Sequence, residues 1–215
     1  MSRIAIVGGH GKIALRAAAI LTAHGHEVTS LIRRSEQRGD IEGAGASASI
    51  IDLESASVDE LARVFRGHDA VVFSAGSGGG GPERTYAVDR DAAIRSMDAA
   101  KAANVERYVM VSYLGAGPGH GFPEDDSFYA YAESKAEADT YLKGSELAWT
   151  ILGPSMLSDD TETGGIQVDP SESGSVSRGN VAQVIAAVLA DESTLLRTIE
   201  FVDGPTSIRE AVAAE

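Results

Sequence analysis

Apolar residues along this chain fall into short runs separated by longer stretches with helical spacing. The runs are "IAIVG", "EVTSLI", "SASII", "DAVVFSAG", "RYVMVSY", "AWTIL" and "RTIEFV". Each is bounded by turn residues and rich in β-branched or aromatic side chains, so each predicts a strand. Several are continuously apolar rather than alternating, the pattern of strands covered on both faces. Between them, apolar residues three and four apart predict helices over residues 12–24, 58–66, 84–103, 127–143 and 181–191, with a short one over 207–214. "NVAQVIAAVLA" is the clearest of these, and Asn180 stands where its N-cap is expected. The alternation predicts an α/β fold: a doubly wound parallel sheet with helices on both faces, connected right-handedly. We read residues 1–215 as one domain, in which 153–215 adds a small carboxyl-terminal, substrate-side extension.

Three loops differ from the rest in composition: 76–83 ("GSGGGGPE"), 115–126 ("GAGPGHGFPEDD") and 153–175 ("GPSMLSDDTETGGIQVDPSESGS"). All follow predicted strands. In an open α/β sheet the ligand lies at the carboxyl ends of the strands, so these loops fall where a site is expected. The glycine run 78–81 suggests a mobile flap there.

The first strand runs directly into "GGHGKIA" and a helix. Gly8, Gly11 and Ala14 form a G-x-x-G-x-x-A pattern. Gly8 can take positive φ for the tight turn, Gly11 lets backbone approach a pyrophosphate, and Ala14 keeps the helix close to the strand. Amides of the first helical turn then face the phosphates, with the positive end of the dipole behind them. A flexible bend is the alternative, and it loses weight in this strand-turn-helix setting. At the end of the second strand, where NAD sites carry an acid, the chain reads "LIRRS". Guanidinium groups at Arg33 and Arg34 suit a 2′-phosphate, which favours NADP over NAD.

The chain has 215 residues, 43% of them hydrophobic, enough for a sizeable core. It has no cysteine, which excludes disulfides and thiolate metal sites. A formal net charge of -14 opposes nonspecific nucleic-acid binding. No apolar run approaches a membrane span and the amino terminus lacks a secretory layout, so we expect a cytoplasmic protein with a small-molecule substrate and neither nucleic-acid nor membrane partners. Among five histidines only His24 and His26 lie close together, flanking Gly25, and no metal site is expected. The acidic pairs Asp125–Asp126 and Asp159–Asp160 read as solvated loop carboxylates.

With these residues in place the chain resembles the short-chain dehydrogenase/reductase superfamily, and within it the atypical, NmrA-like group of NAD(P)-binding proteins. The resemblance covers nearly the whole chain and rests on "GGHGKIA", "IDLES", "FSAGSGGGG", "YAVDRDAAIRSMDAAKAANVERYVMVSYLGA" and "YAESKAEADTYLKGSELAWTILGP". It implies a Rossmann-type fold and a cofactor held by Gly8, Gly9, His10, Gly11, Lys12 and Ile13 at the phosphates. Asp52 and Leu53 would lie at the adenine, and Ser74, Ala75 and Gly76 near the riboses. It also implies a catalytic set: Ser112 to orient the substrate oxygen, and Tyr131 with Lys135 in a Tyr-x-x-x-Lys helix. A spacing of four puts both side chains on one helix face, where an ammonium would lower the tyrosine pKa and hydrogen-bond the nicotinamide ribose. Tyr129, two residues earlier, is the competing tyrosine. Gly153 stands before Pro154 where many relatives carry arginine.

The expected function is an NADP-dependent oxidoreductase moving a hydride between nicotinamide and a small carbonyl, quinone or similar acceptor. Two alternatives stay open: an NADP-binding redox sensor without turnover, and a flavin or biliverdin reductase-like enzyme in which Tyr131 is dispensable. The short carboxyl-terminal portion disfavours nucleotide-sugar epimerases.

Overall fold

A computed structural model of the chain describes residues 1–213. In chain order the elements begin with β1 (Arg3–Val7), α1 (Lys12–Ala23), β2 (Glu27–Ile32), α2 (Arg38–Gly43), β3 (Ser47–Ile50), α3 (Val58–Phe65) and β4 (Ala70–Phe73). Then α4 (Pro82–Thr85) passes through a π-helical stretch (Tyr86–Ala92) into α5 (Ala93–Ala102), followed by β5 (Arg107–Val111), α6 (Tyr129–Lys143) and β6 (Ala148–Pro154). The carboxyl-terminal part holds β7 (Met156–Ser158), β8 (Gly165–Val168), β9 (Ser175–Ser177), α7 (Arg178–Leu189), β10 (Arg197–Asp203), β11 (Thr206–Ser207) and α8 (Ile208–Ala213).

The main sheet has the order β11-β8-β10-β6-β5-β4-β1-β2-β3. From β3 to β10 every pairing is parallel, and β8 and β11 add an antiparallel edge. All seven predicted strands are present. Alternation along each strand divides the core between the two faces. Ile4 and Ile6 of β1 and Val109 and Val111 of β5 pack beneath α1, α7 and α8. Ala5, Val7, Tyr108 and Met110 pack beneath α3, α5 and α6. Strand order reverses at the β1/β4 junction, and a crevice opens there at the carboxyl ends.

Three expectations change. Residues 153–175 are not one long loop, because β7, β8 and most of β9's approach lie within them; β7 pairs with β9, and β8 joins the main sheet. Asn180 does not cap α7. Ser177 does, its hydroxyl accepting from the Asn180 amide, while the Asn180 side chain is buried on Gly164, Gly165, Thr163 and Asp203. The helix predicted over 84–103 starts at Pro82 and is interrupted by the π-helical stretch. Of the short helix predicted over 207–214, residue 214 lies outside the described residues.

Candidate cofactor cleft and active site

Gly8 has φ +80, as the turn requires, and a Cβ there would stand 2.5 Å from Ala75 Cα. The ends of β1 and β4 therefore touch, and only glycine fits between them. A Cβ on Gly9 would come 2.4 Å from Ser30 Cβ, so β2 closes the turn from the other side. Gly11 is the residue before α1, in extended conformation, and no side chain caps the helix. The first-turn amides, Lys12 and Ile13 among them, are thus left to a ligand. Ala14 is fully buried under the sheet, as its role requires.

These elements form a cleft of about 250 Å³ lined by Gly8, His10, Gly11, Arg33, Gln37, Asp52, Leu53, Glu54, Ser74, Ala75, Gly76, Arg84 and neighbouring apolar residues. Nine of the residues singled out from the sequence meet in it. Arg34 does not line it, and its amide donates to Gln37 Oε1 instead (3.0 Å). Arg33 Nη1 lies 3.3 Å from Glu54 Oε1, to which Arg84 Nε also donates at 2.9 Å. His10 pairs through Nε2 with Asp40 of α2 at 2.7 Å. Gly80 of the glycine run lies against Arg84, whose Nη1 donates to the carbonyl of Ser77, just before the run, at 2.9 Å, so the run borders the Arg33 end of the cleft.

Ser112 follows β5, and Tyr131 and Lys135 share the face of α6 that meets it. Ser112 Oγ donates to Asp139 Oδ2 at 2.6 Å, and both are buried. Lys135, 1% exposed, donates through Nζ to the Val111 carbonyl at 2.9 Å and stands 3.8 Å from Asp89 Oδ1. Asp89 lies in the π-helical stretch, accepts from the Ser77 amide through Oδ2, and has no hydrogen-bond partner for Oδ1 among the described residues. A Cβ on Gly76 would meet that oxygen at 3.4 Å, so Asp89 joins the cleft wall to Lys135. The ammonium lies 5.8 Å from the Tyr131 ring centre.

The tyrosine is shifted opposite to expectation. Burial, with Asp89 and Asp139 nearby, raises the Tyr131 pKa well above the ordinary phenol value. Lys135 spends its charge on Val111 and Asp89, which leaves little to draw Tyr131 down. Burial likewise pushes the neighbouring Tyr113 up to about 12. Rings of Tyr113 and Phe128 lie 5.5 and 5.1 Å from Tyr131, and Phe122 lies 4.8 Å from Phe128. Tyr129 instead turns its ring to His120 (5.4 Å), so Tyr131 is the tyrosine that shares a face with Lys135.

A family model described as NAD(P)H-binding matches residues 8–192. The chain belongs to this NAD(P)H-binding family. It is 33% identical to the Bacillus subtilis "Uncharacterized sugar epimerase YhfK" over 213 residues, covering 98% of each chain. A solved structure from Bacillus halodurans, a "Putative NAD-dependent epimerase/dehydratase", has a TM-score of 0.91 at 33% identity, with 99% of each chain covered. The oxidoreductase ylbE from Lactococcus lactis gives 0.86 at 26%, covering 98% of this chain and 94% of that one. The matched range takes in the glycine turn, the cleft described above and the helix that bears Tyr131. The likeness to the atypical, NmrA-like group of NAD(P)-binding proteins stands with it.

Several residues of the site lie outside the sequence motifs. Glu54 and Arg84 face each other only because α4 folds back over the segment after β3. Asp89 and Asp139 sit within helical spacing that gave no sign of their burial. Asp159, read from sequence as solvated, pairs with Lys12 at 2.6 Å and Arg178 at 3.0 Å, and Glu162 pairs with Arg16 at 3.7 Å. The segment after β7 is thereby clasped to α1 beside the glycine turn. At Gly153 a Cβ would come 2.9 Å from Glu200 Cγ, so the space of a larger side chain there is filled by Glu200. Among the described residues no helix is long and apolar enough to cross a membrane, and no three of His, Asp or Glu are placed to hold a metal ion.

Proposed function

We propose that the protein is an NADP-dependent reductase of a small planar carbonyl, quinone or similar acceptor. The observation that carries this reading is the placement of Tyr131, Lys135 and Ser112 around the carboxyl end of β5, joined through Asp89 to the wall of a cleft built from the glycine turn. The residues suit the cofactor. Gly8 and Gly9 form a cradle that any Cβ would fill, the α1 amides carry no side-chain cap, and Arg33 offers a guanidinium to a 2′-phosphate. Bound there, a nicotinamide nucleotide supplies or accepts a hydride.

The chain's own residues handle the proton. The Tyr131 hydroxyl is protonated at neutral pH, as an ordinary phenol is, and so is available as a donor to an oxygen gaining negative charge. Ser112 can position the acceptor oxygen once its hydroxyl proton turns from Asp139, where it now donates, to that oxygen. Lys135 compensates Asp89 and fixes the face of α6. The rings of Tyr113, Phe122 and Phe128 give a stacking wall for a flat acceptor.

A cofactor-binding sensor without turnover is the second reading, favoured by one observation: Ser112 and Lys135 already have internal partners. Fluorescence titration with NADPH and NADH, beside Arg33→Ala, tests the cofactor assignment. We expect NADPH to bind tighter and the variant to lose that preference. Binding without reduction of any carbonyl or quinone supports the sensor, and no nucleotide binding overturns both readings.

A further inference from the structure

Glu54 Oε1 is shared by Arg33 Nη1 and Arg84 Nε at 3.3 and 2.9 Å, and all three residues line the cleft. Glu54 and Arg84 are also held from elsewhere. The Glu54 amide donates to Asp52 Oδ1 (3.1 Å), while Arg95 Nη2 holds the Leu53 carbonyl at 2.6 Å. Arg84 is held by the Ser77 carbonyl, and its stem lies on Gly80, where a Cβ would stand 2.5 Å from Arg84 Cδ. A side chain at position 80 would therefore push the guanidinium away from the cleft. Two arginines are arranged about one anionic oxygen, and that anion comes from the chain itself.

We propose that Arg84 is a second reader of the cofactor's 2′-phosphate beside Arg33, and that Glu54 is a built-in competitor which the phosphate displaces. The inference rests on the NADP reading above. A phosphate monoester brings more charge and one more acceptor oxygen than the carboxylate and matches paired guanidinium donors better. A neutral ribose hydroxyl cannot compete, so NADH leaves the Glu54 pairs intact. These pairs are partly exposed and individually weak, so displacing Glu54 costs little, and the carboxylate acts on selectivity more than on the stability of the fold.

The test is binding rather than turnover: displacement titrations with NADPH, NADH, 2′,5′-ADP and 5′-AMP on wild type, Arg84→Ala, Arg84→Lys, Arg33→Ala and Glu54→Gln, each checked for folding by thermal melting. Arg84→Ala is expected to weaken NADPH and 2′,5′-ADP by about ten-fold or more, with NADH and 5′-AMP within about two-fold, and Arg84→Lys to lie between. Glu54→Gln is expected to tighten the two 2′-phosphorylated ligands several-fold. Equal weakening of NADPH and NADH by Arg84→Ala makes Arg84 a mere wall residue and overturns the proposal. Loss of NADH binding in Glu54→Gln makes Glu54 a ribose-hydroxyl ligand and also overturns it. If wild type prefers NADPH and only Arg33→Ala removes the preference, the cofactor reading stands and this proposal alone fails. If wild type shows no preference, both fail.

Discussion

Ser112 gives its hydroxyl proton to Asp139 across 2.6 Å, with both groups buried between β5 and α6. Burial raises the Asp139 carboxyl above the ordinary carboxylate range, against the lowering pull of Ser112 and Lys135. A carboxyl raised in the folded state binds its proton more tightly there than in the unfolded chain. The stability it contributes is therefore complete below the unfolded pKa of about 3.9 and is lost as pH rises through the folded value. Asp139→Asn keeps an oxygen for Ser112 and removes the titration. Thermal melts from acid to neutral pH should show the variant gaining on wild type as pH rises, by about 2–4 °C for each kcal/mol of the lost penalty. A gap that does not change with pH would mean that Asp139 does not titrate differently on folding.

Tyr131→Phe removes a hydroxyl that burial and two carboxylates hold protonated. If that hydroxyl is the donor, turnover with a carbonyl or quinone should fall by about 10²–10⁴-fold, the usual worth of a positioned acid. NADPH affinity should change little, since Tyr131 does not line the 250 Å³ cleft. Steady-state NADPH oxidation alongside binding titration separates the two effects. Unchanged turnover would point to the open-pocket reductase in which Tyr131 is dispensable.

Gly9→Ala puts a methyl 2.4 Å from Ser30 Cβ, on a buried serine whose hydroxyl has no partner among the described residues. Neither β1 nor β2 can yield without disturbing the parallel pairing of Ile6 with Ser30 and Val7 with Leu31. Overpacking of this kind costs about 1–3 kcal/mol, and the shifted turn should also lose nucleotide binding. Gly43→Ala is the control. Its Cβ meets nothing within 4 Å, so helix propensity should leave the protein unchanged or more stable by about 0.4–1 kcal/mol. Chemical denaturation of both variants checks the pair.

What the chain reveals of its site depends on how local the cause is. The glycine turn was legible because a positive φ and a strand-turn-helix order are properties of seven adjacent residues. Tyr131 and Lys135 were legible because a spacing of four is a fact about one helix. Arg84 against Glu54 and Asp89 against Lys135 were not, since each pair joins separate elements and depends on how α4 and the π-helical stretch fold back on the sheet. Tyr131 shows the limit most directly. The nearby ammonium was predictable, but the burial and the two carboxylates that outweigh it come from tertiary packing. The strands inside 153–175 escaped for another reason: three or four residues long, they are defined by partners rather than by their own pattern.

Asn180, expected from the sequence as a helix cap, instead ties the carboxyl-terminal elements together. Its Oδ1 accepts from the Gly164 amide at 2.9 Å. Its Nδ2 serves Asp203 Oδ1 at 2.7 Å, Thr163 Oγ1 at 3.0 Å and the Gly165 carbonyl at 3.1 Å. Asp203 in turn accepts from the Ser177 amide that begins α7, so β8, β10 and α7 meet at this one fully buried side chain. Asn180→Ala leaves the half-buried Gly164 amide without its partner and takes one donor from the half-buried Asp203 carboxylate, which keeps the Ser177 amide. With one amide left unsatisfied, the loss should be on the order of 1–3 kcal/mol. Asn180→Asp separates charge from shape: it keeps the acceptor for Gly164 but sets a second carboxylate 2.7 Å from Asp203, and should be at least as damaging at neutral pH. Lowering the pH toward the carboxylate range should then recover part of the Asn180→Asp loss and none of the Asn180→Ala loss. Melting curves of the two variants at pH 5 and pH 8 make the comparison. Because the segment between β7 and β8 is also clasped to Lys12 and Arg16 of α1, loosening it should weaken NADPH binding as well.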